Sequence, residues 1–233
     1  MSIFYVPDIN LGQVLSEEES QHAVRVLRLQ AGNEIEVVDG VGGFYKAVIT
    51  NPHPKHCSFE IKETILDYGK RDYKLHIAIA PTKNIERFEW FLEKCVEIGI
   101  DEVTPLLCRF SERKIIKPDR LEKIIVSAAK QSIKAYFPKL NPMVNFDEFI
   151  KSEHTAQKFI AHCYEGDKKL LQNVYQKPLD VIVLVGPEGD FSLDEVQKAM
   201  KNGYQPISLG NSRLRTETAG VVACHTVVMM NEF

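Results

Sequence analysis

The chain has 233 residues, of which 44% are hydrophobic and 26% charged, with a formal net charge of −3. That length buries a substantial core in one domain or two, and the near-balanced charge excludes a chain that seeks polyanions with its whole surface. The five cysteines are scattered and none stands in a CxxC pair, so neither a disulfide framework nor a metal site is expected.

In chain order, residues 1–70 predict short strands at Ser2–Val6, Glu34–Val38, Phe44–Thr50 and Cys57–Thr64, with turns at Asp39-Gly40 and Gly42-Gly43. One helix interrupts them near Glu17–Leu29. Ser16 with Glu19 three residues on reads as a capping box, and Ala23, Val24 and Leu27 supply its apolar face. A small β-barrel fits this pattern. The polar stretch Asp67–Asp72 reads as a linker, and residues 73–233 change character. Strands at Lys74–Ala80, Glu102–Leu107, Lys158–Cys163, Asp180–Val185 and Gln205–Leu209 alternate with helical patterns. Gly99 ends the first of these helices, Pro118 opens the second, and a Ser192/Glu195 capping box with a closing Gly203 bounds the third. The alternation predicts an α/β domain with a mostly parallel sheet covered on both faces. The last helix, Ala219–Met230, is apolar nearly all round and is expected to be buried, with His225 in the core. MSIFYVPDIN lacks the features of a secretory signal, and no apolar run reaches membrane-spanning length. The expected setting is cytoplasmic.

Charge is uneven. Arg109, Arg113, Lys114, Lys117, Arg120, Lys123, Lys130, Lys134 and Lys139 crowd one stretch, opposed only by Glu112, Asp119 and Glu122. Such a band either solvates a helix face or neutralises nucleic-acid phosphates. Arg25 and Arg28 form a smaller basic spot.

Familiar catalytic patterns are missing. There is no GxxxxGK[ST], no GxGxxG after a strand, no HExxH and no GxSxG. His53 and His56 stand close together without further ligands, which fits loop histidines better than a metal site. Two strand–loop–helix turns near the C-terminus stand out instead. In Leu184-Val185-Gly186-Pro187-Glu188-Gly189 the glycines permit close backbone approach, and proline stiffens the loop that presents Glu188. A tight β–α connection reads the same way. In Leu209-Gly210 through Leu214-Arg215-Thr216-Glu217-Thr218, Thr216 is a candidate N-cap, and Glu217 falls in the first helical turn, where the helix dipole favours an anion. A capping motif with a salt bridge is the alternative.

These two loops resemble those of the ribosomal RNA small subunit methyltransferase E family, in the SPOUT superfamily of knotted methyltransferases. The resemblance runs through nearly the whole chain. It includes His22-Ala23-Val24-Arg25-Val26-Leu27-Arg28, Glu93-Lys94-Cys95-Val96-Glu97-Ile98-Gly99, Thr104-Pro105-Leu106 and Ser111-Glu112-Arg113. It implies a PUA-like, RNA-binding β-barrel at the N-terminus and a C-terminal domain with a deep trefoil knot. It also implies a homodimer, S-adenosyl-L-methionine as cofactor, and methylation of N3 of one uridine near the 3′ end of 16S ribosomal RNA, free or in the small subunit. A related enzyme acting on another base or a ribose, or a non-catalytic PUA-type RNA-binding factor, would account for part of the pattern.

Carried onto this chain, the resemblance makes His162, Leu184, Gly186, Glu188, Gly189, Leu209, Gly210, Leu214 and Thr216 the expected cofactor site. Arg215 is expected to stabilise charge developing on a uracil carbonyl oxygen, with Glu217 as the base for the N3 proton. The RNA contacts expected are Arg25, Arg28, Arg109, Arg113, Lys114, Lys130, Gln131 and Lys134. Two departures from the family pattern stand out. Asp190 replaces a common glycine after Gly189. Lys130-Gln131-Ser132-Ile133-Lys134 stands where many members have Glu-Gln-Cys/Ser-Gly-Arg, which loses a carboxylate and exchanges an arginine fork for a lysine.

Overall fold

A computed structural model describes residues 3–232, so Ser2 of the first expected strand lies outside the described residues. The chain divides into two compact units.

The first unit takes residues up to Lys70 and recruits Val126–Phe137 from far along the chain. Its sheet runs β1 (Ile3–Tyr5), β2 (Glu34–Val38), β3 (Phe44–Asn51), β4 (Ser58–Ile65), with the first pair parallel and the others antiparallel. Main-chain bonds between Leu15 and Cys57 and between Phe59 and Gln13 continue it past β4. Alternating residues, Ile35 and Val37 on β2 and Ala47 and Ile49 on β3, meet Phe4 and Phe59 in one core. Helix α1 (Glu17–Gln21) opens at Ser16, whose hydroxyl accepts from the Glu19 amide. The reciprocal half of the expected capping box is absent. The Glu19 carboxylate instead accepts from the Tyr5 amide at 3.3 Å and pairs with Lys130 at 2.5 Å. His22–Val26 then winds as a π-helical turn that ends at Arg28 in the left-handed region, so the expected helix stops short and Leu27 is exposed.

The second unit holds an eight-stranded parallel sheet. Its strands are β5 (Leu75–Ile79), β6 (Glu102–Leu107), β7 (Lys139–Leu140), β8 (Val144–Asn145), β9 (Gln157–Ala161), β10 (Lys169–Leu170), β11 (Val181–Val185) and β12 (Gln205–Ser208). They lie in the order β10-β12-β9-β11-β5-β6-β7, and β8 also pairs with β6. Every residue of β5 and β11 is buried, as a sheet covered on both faces requires. The helices are α2 (Ile85–Ile98), α3 (Pro118–Gln131), α4 (Phe146–Phe149), α5 (Leu171–Val174), α6 (Leu193–Lys201) and α7 (Thr216–Glu232). The two-residue strands and four-residue helices have no sequence expectation behind them, since so few residues carry no period. After β12, at one side of the sheet, the chain returns inward and α7 packs on α2 and β5. Gly220 makes that approach possible: a Cβ there would sit 2.4 Å from the Phe91 ring. Only one side of α7 is buried, however. His225 and Met229 are exposed, contrary to the expectation of a fully buried helix with His225 in the core.

Two helix ends use the same device with different residues. At the end of α6, Tyr204 bonds back to Ala199 and Gly203 to Met200, with Gly203 at φ 84°. At the end of α3, Lys134 bonds back to Ala129 and Ile133 to Lys130, with Ile133 at φ 56°. Both are Schellman motifs, whose left-handed position favours glycine. A β-branched residue there is strained by about 1–2 kcal/mol, and Ile133, 48% exposed, recovers little by burial. Ile133→Gly is therefore expected to raise stability by roughly 0.5–1 kcal/mol after glycine's own entropic cost. Calorimetry would detect this as a higher unfolding midpoint; a lowered midpoint would contradict it.

Candidate active site

The loops that follow the parallel strands gather at the carboxyl ends of β5, β6, β9, β11 and β12, the edge where open α/β sheets bind ligands. Side chains tie them to one another. Glu188 Oε1 accepts from the Lys83 amide at 2.8 Å, linking the loop after β11 to the loop after β5. Arg113 donates to the carbonyls of Thr82 and Lys83, linking the loop after β6 to the same segment. Glu195 completes the expected capping box with Ser192 at the start of α6, and its other oxygen accepts from the Arg109 amide at 2.8 Å.

A cavity of about 770 Å³ opens between the loops after β9, β11 and β12. Of the residues expected to hold a cofactor, His162, Gly186, Glu188, Gly189, Leu209, Gly210, Leu214 and Thr216 line it. Leu184 does not. It is fully buried among Ala78, Ile160 and Ile182, so it supports the cavity floor from the core side, and Val185 takes the lining position. Gly186 has no room for a side chain, because a Cβ would lie 3.0 Å from the Phe191 amide nitrogen. Its carbonyl accepts from the Thr216 hydroxyl at 3.0 Å, across 30 residues of chain. Thr216 is thus the first residue of α7 and not its N-cap, which corrects the expectation; its hydroxyl joins the two glycine loops.

Asp190, the departure from the family's glycine, holds the left-handed backbone glycine would take, at φ 66°. Its carboxylate accepts from the Cys163 amide at 2.7 Å and from the Phe191 amide at 2.8 Å. Aspartate tolerates that region better than most residues, and these bonds fix the loop after β9 as a glycine could not. Lys168, which the sequence reading missed, donates to the carbonyls of His162 and Tyr164 and also lines the cavity. It follows a glycine turn of no recognisable pattern, so only the fold brings it in. The buried His162 Nδ1 has no hydrogen-bond partner among the described residues. A bound molecule with a donor or acceptor there would satisfy it.

Arg215 lines this cavity and a second one of about 610 Å³, which also contains Glu217, Arg87 and Trp90. Glu217 faces only the second cavity. It is 6% exposed, its Oε1 lies 3.9 Å from Arg87 Nε, and its Oε2 has no hydrogen-bond partner among the described residues. An unpaired buried oxygen costs about 1–3 kcal/mol. The residues expected at RNA divide in two. Lys130 is paired with Glu19, and Arg113 is spent on two carbonyls. Arg25, Arg28, Arg109, Lys114 and Gln131 are exposed, and the Arg109 guanidinium lies 5.7 Å from the centre of the Phe110 ring. Lys134 is half-buried. The described residues contain no cluster of metal ligands, and His53 and His56 stack on each other at 3.6 Å.

Two outcomes follow for the first cavity. Thr216→Val keeps the shape but strands the Gly186 carbonyl; it is expected to cost about 1–3 kcal/mol of stability and to weaken S-adenosylmethionine binding, read by calorimetry. Burial lowers the His162 pKa below 6.5, with Lys168 acting in the same direction and Asp190 opposing. His162 is therefore neutral at pH 7 and gains its proton only as pH falls below 6.5. Affinity for a cationic ligand should be flat from about pH 8 to 6.5 and fall on the acid side as that proton is taken up. In His162→Asn the acid limb should vanish; an identical profile in the variant would assign the limb elsewhere.

Comparison with known proteins agrees with this geometry. Residues 70–228 match the family model of an RNA methyltransferase domain, and residues 15–62 that of an RNA methyltransferase PUA domain. The ribosomal RNA small subunit methyltransferase E of Buchnera aphidicola (from Acyrthosiphon pisum) is 30% identical over 95% of this chain and 90% of its own. Among solved structures, a probable rRNA-methyltransferase from Porphyromonas gingivalis superposes with a TM-score of 0.94 at 42% identity, covering 100% of this chain and 99% of that one. A methyltransferase from Legionella pneumophila, solved with bound SAM, gives 0.85 at 29% identity, over 97% and 96% of the two chains. No helix among the described residues is long and apolar enough to cross a membrane. With a PUA domain, a parallel α/β domain and paired glycine loops around one cavity, the chain belongs to the ribosomal RNA small subunit methyltransferase E family.

Proposed function

We propose that this protein is an S-adenosyl-L-methionine-dependent methyltransferase that modifies N3 of one uridine near the 3′ end of 16S ribosomal RNA. The observation that carries the reading is the pair of adjoining cavities that share Arg213, Leu214 and Arg215. The first, lined by the two glycine loops together with His162, Tyr164 and Lys168, fits a cofactor that has no phosphate to cradle. When bound, S-adenosylmethionine supplies an electrophilic methyl group on a sulfonium. His162, Gly186, Gly189, Leu209, Gly210 and Leu214 would hold it, with Thr216 fixing one loop against the other.

The chain's own residues then have three tasks. They exclude water, hold the base, and remove the proton that uracil N3 carries at neutral pH. Glu217 is the group for the last, since its buried oxygen lacks a donor. Arg215, in both cavities, is the group to stabilise negative charge on a uracil carbonyl oxygen. Positioning two bound reactants supplies much of the remaining rate.

The uncovered face of α7, with Met229 40% exposed, supports a homodimer built on that helix. The inward return of α7 after β12, held at Thr216, supports the knotted path. A ribosomal substrate and five unpaired cysteines fit a cytoplasmic enzyme.

Arg215→Ala is expected to lower methyl transfer to small subunits from a deletion strain by about 10²–10³-fold. Mass spectrometry of the product RNA would identify the modified atom. A methyl on another base or on a ribose would redirect the proposal, and full activity in the variant would remove the role given to Arg215.

A further inference from the structure

Trp90 is the chain's single tryptophan, and it stands on α2 with 44% of its surface exposed. It belongs to the wall of the second cavity, together with Arg87, Arg213, Leu214, Arg215 and Glu217. An exposed tryptophan beside a buried carboxylate whose Oε2 lacks a donor is an unusual wall for a soluble domain. Its chemistry is specific. The aromatic face offers a stacking platform, the carboxylate offers an acceptor, and the guanidiniums of Arg87 and Arg215 offer donors.

The edge of uracil around N3 presents a donor, N3–H, flanked by two acceptors, O2 and O4. A wall with one acceptor and two donors complements that edge. Cytosine puts a bare acceptor at N3 and a donor amino group at C4, so it would set a lone pair against the carboxylate and an amine against a guanidinium. We infer that the second cavity receives the target base, stacked on Trp90, and that Arg87 together with Glu217 selects uracil over cytosine. This rests on the reading of Arg215 and Glu217 as the groups that act on the uridine. It adds Trp90 and Arg87 as specificity determinants, residues that lie 125 or more positions before the second glycine loop's Arg215.

Because Trp90 is the only tryptophan, its emission reports on this cavity alone. An RNA oligonucleotide carrying the target uridine, added with S-adenosylhomocysteine present, is expected to quench it saturably. The same oligonucleotide with cytidine at that position should bind about tenfold or more weakly. With unmethylated small subunits as substrate, Trp90→Ala is expected to lower kcat/KM for the RNA about tenfold or more. Its affinity for S-adenosylmethionine should stay within about twofold, because Trp90 does not line the first cavity. Trp90→Phe should recover most of the loss, and Arg87→Ala should narrow the preference for uridine. An oligonucleotide that shifts in a gel yet leaves the emission unchanged would overturn the inference. So would a Trp90→Ala protein that sediments as a monomer where the wild type is a dimer, since the ring would then belong to a subunit interface. In either case an active wild-type enzyme leaves the functional reading standing, whereas a wild type that methylates no ribosomal RNA overturns both.

Discussion

One hydrogen bond across 30 residues organises the site: the Thr216 hydroxyl on the Gly186 carbonyl. Both atoms are buried, so neither finds water if the other withdraws. Gly186 must lack a side chain because Phe191 closes over it, and Thr216 must begin α7 because the helix runs inward from there. The bond therefore ties the start of the loop after β11 to the start of α7. Everything on either side follows from that junction. Upstream lies the wall of the first cavity; one residue downstream, Glu217 points into the second. Gly220, one helical turn on, lets α7 close on Phe91. A mid-helix glycine costs about 1 kcal/mol against alanine; here the close packing of α2 and α7 offsets it.

Much of this was legible because it is local. Ser192 and Pro118 open helices, and Gly99 and Gly203 close them, through chemistry confined to four or five residues. The two glycine loops were visible for the same reason. What escaped depends on distant chain. Thr216 reads as a cap from its neighbours, yet its hydroxyl answers to Gly186. Glu19 reads as half of a capping box, yet its carboxylate answers to Tyr5 and Lys130. In both cases local pattern gave the right residue and the wrong partner. The apolar character of α7 misled in another way: hydrophobicity all round predicts burial all round, yet His225 and Met229 stand exposed.

The departures from the family pattern are resolved by different physics. Asp190 adopts the backbone that glycine would take and adds two hydrogen bonds that glycine lacks, so the substitution tightens the loops after β9 and β11. Ile133 adopts a glycine backbone and adds no polar contact, with nearly half its surface in solvent. Nothing in the described structure offsets its strain. Strained positions persist where surrounding structure over-determines them, and here the Schellman bonds of Lys134 and Ile133 supply that constraint at the C-terminal end of α3.

The same distinction between charge that is spent and charge that is available sharpens the basic band. Nine basic residues against three acidic ones suggest a phosphate-binding surface, but the count treats every cation alike. Arg113 is consumed in holding the loop after β5, Arg120 pairs with Glu89, and Lys130 pairs with Glu19. Such cations release few counterions when RNA arrives, because they are already neutralised or desolvated. Arg25 and Arg28 form no ion pair among the described residues, and they sit beside the exposed Val26 and Leu27 on the π-helical turn of the PUA unit. Arginine beside exposed apolar carbon suits unpaired RNA, which offers both phosphate and base faces. We therefore propose that the smaller basic spot carries more of the charge available to RNA than its residue count suggests. Within the larger band Arg113, Arg120 and Lys130 are engaged by the protein itself, whereas Arg109 and Lys114 stand exposed.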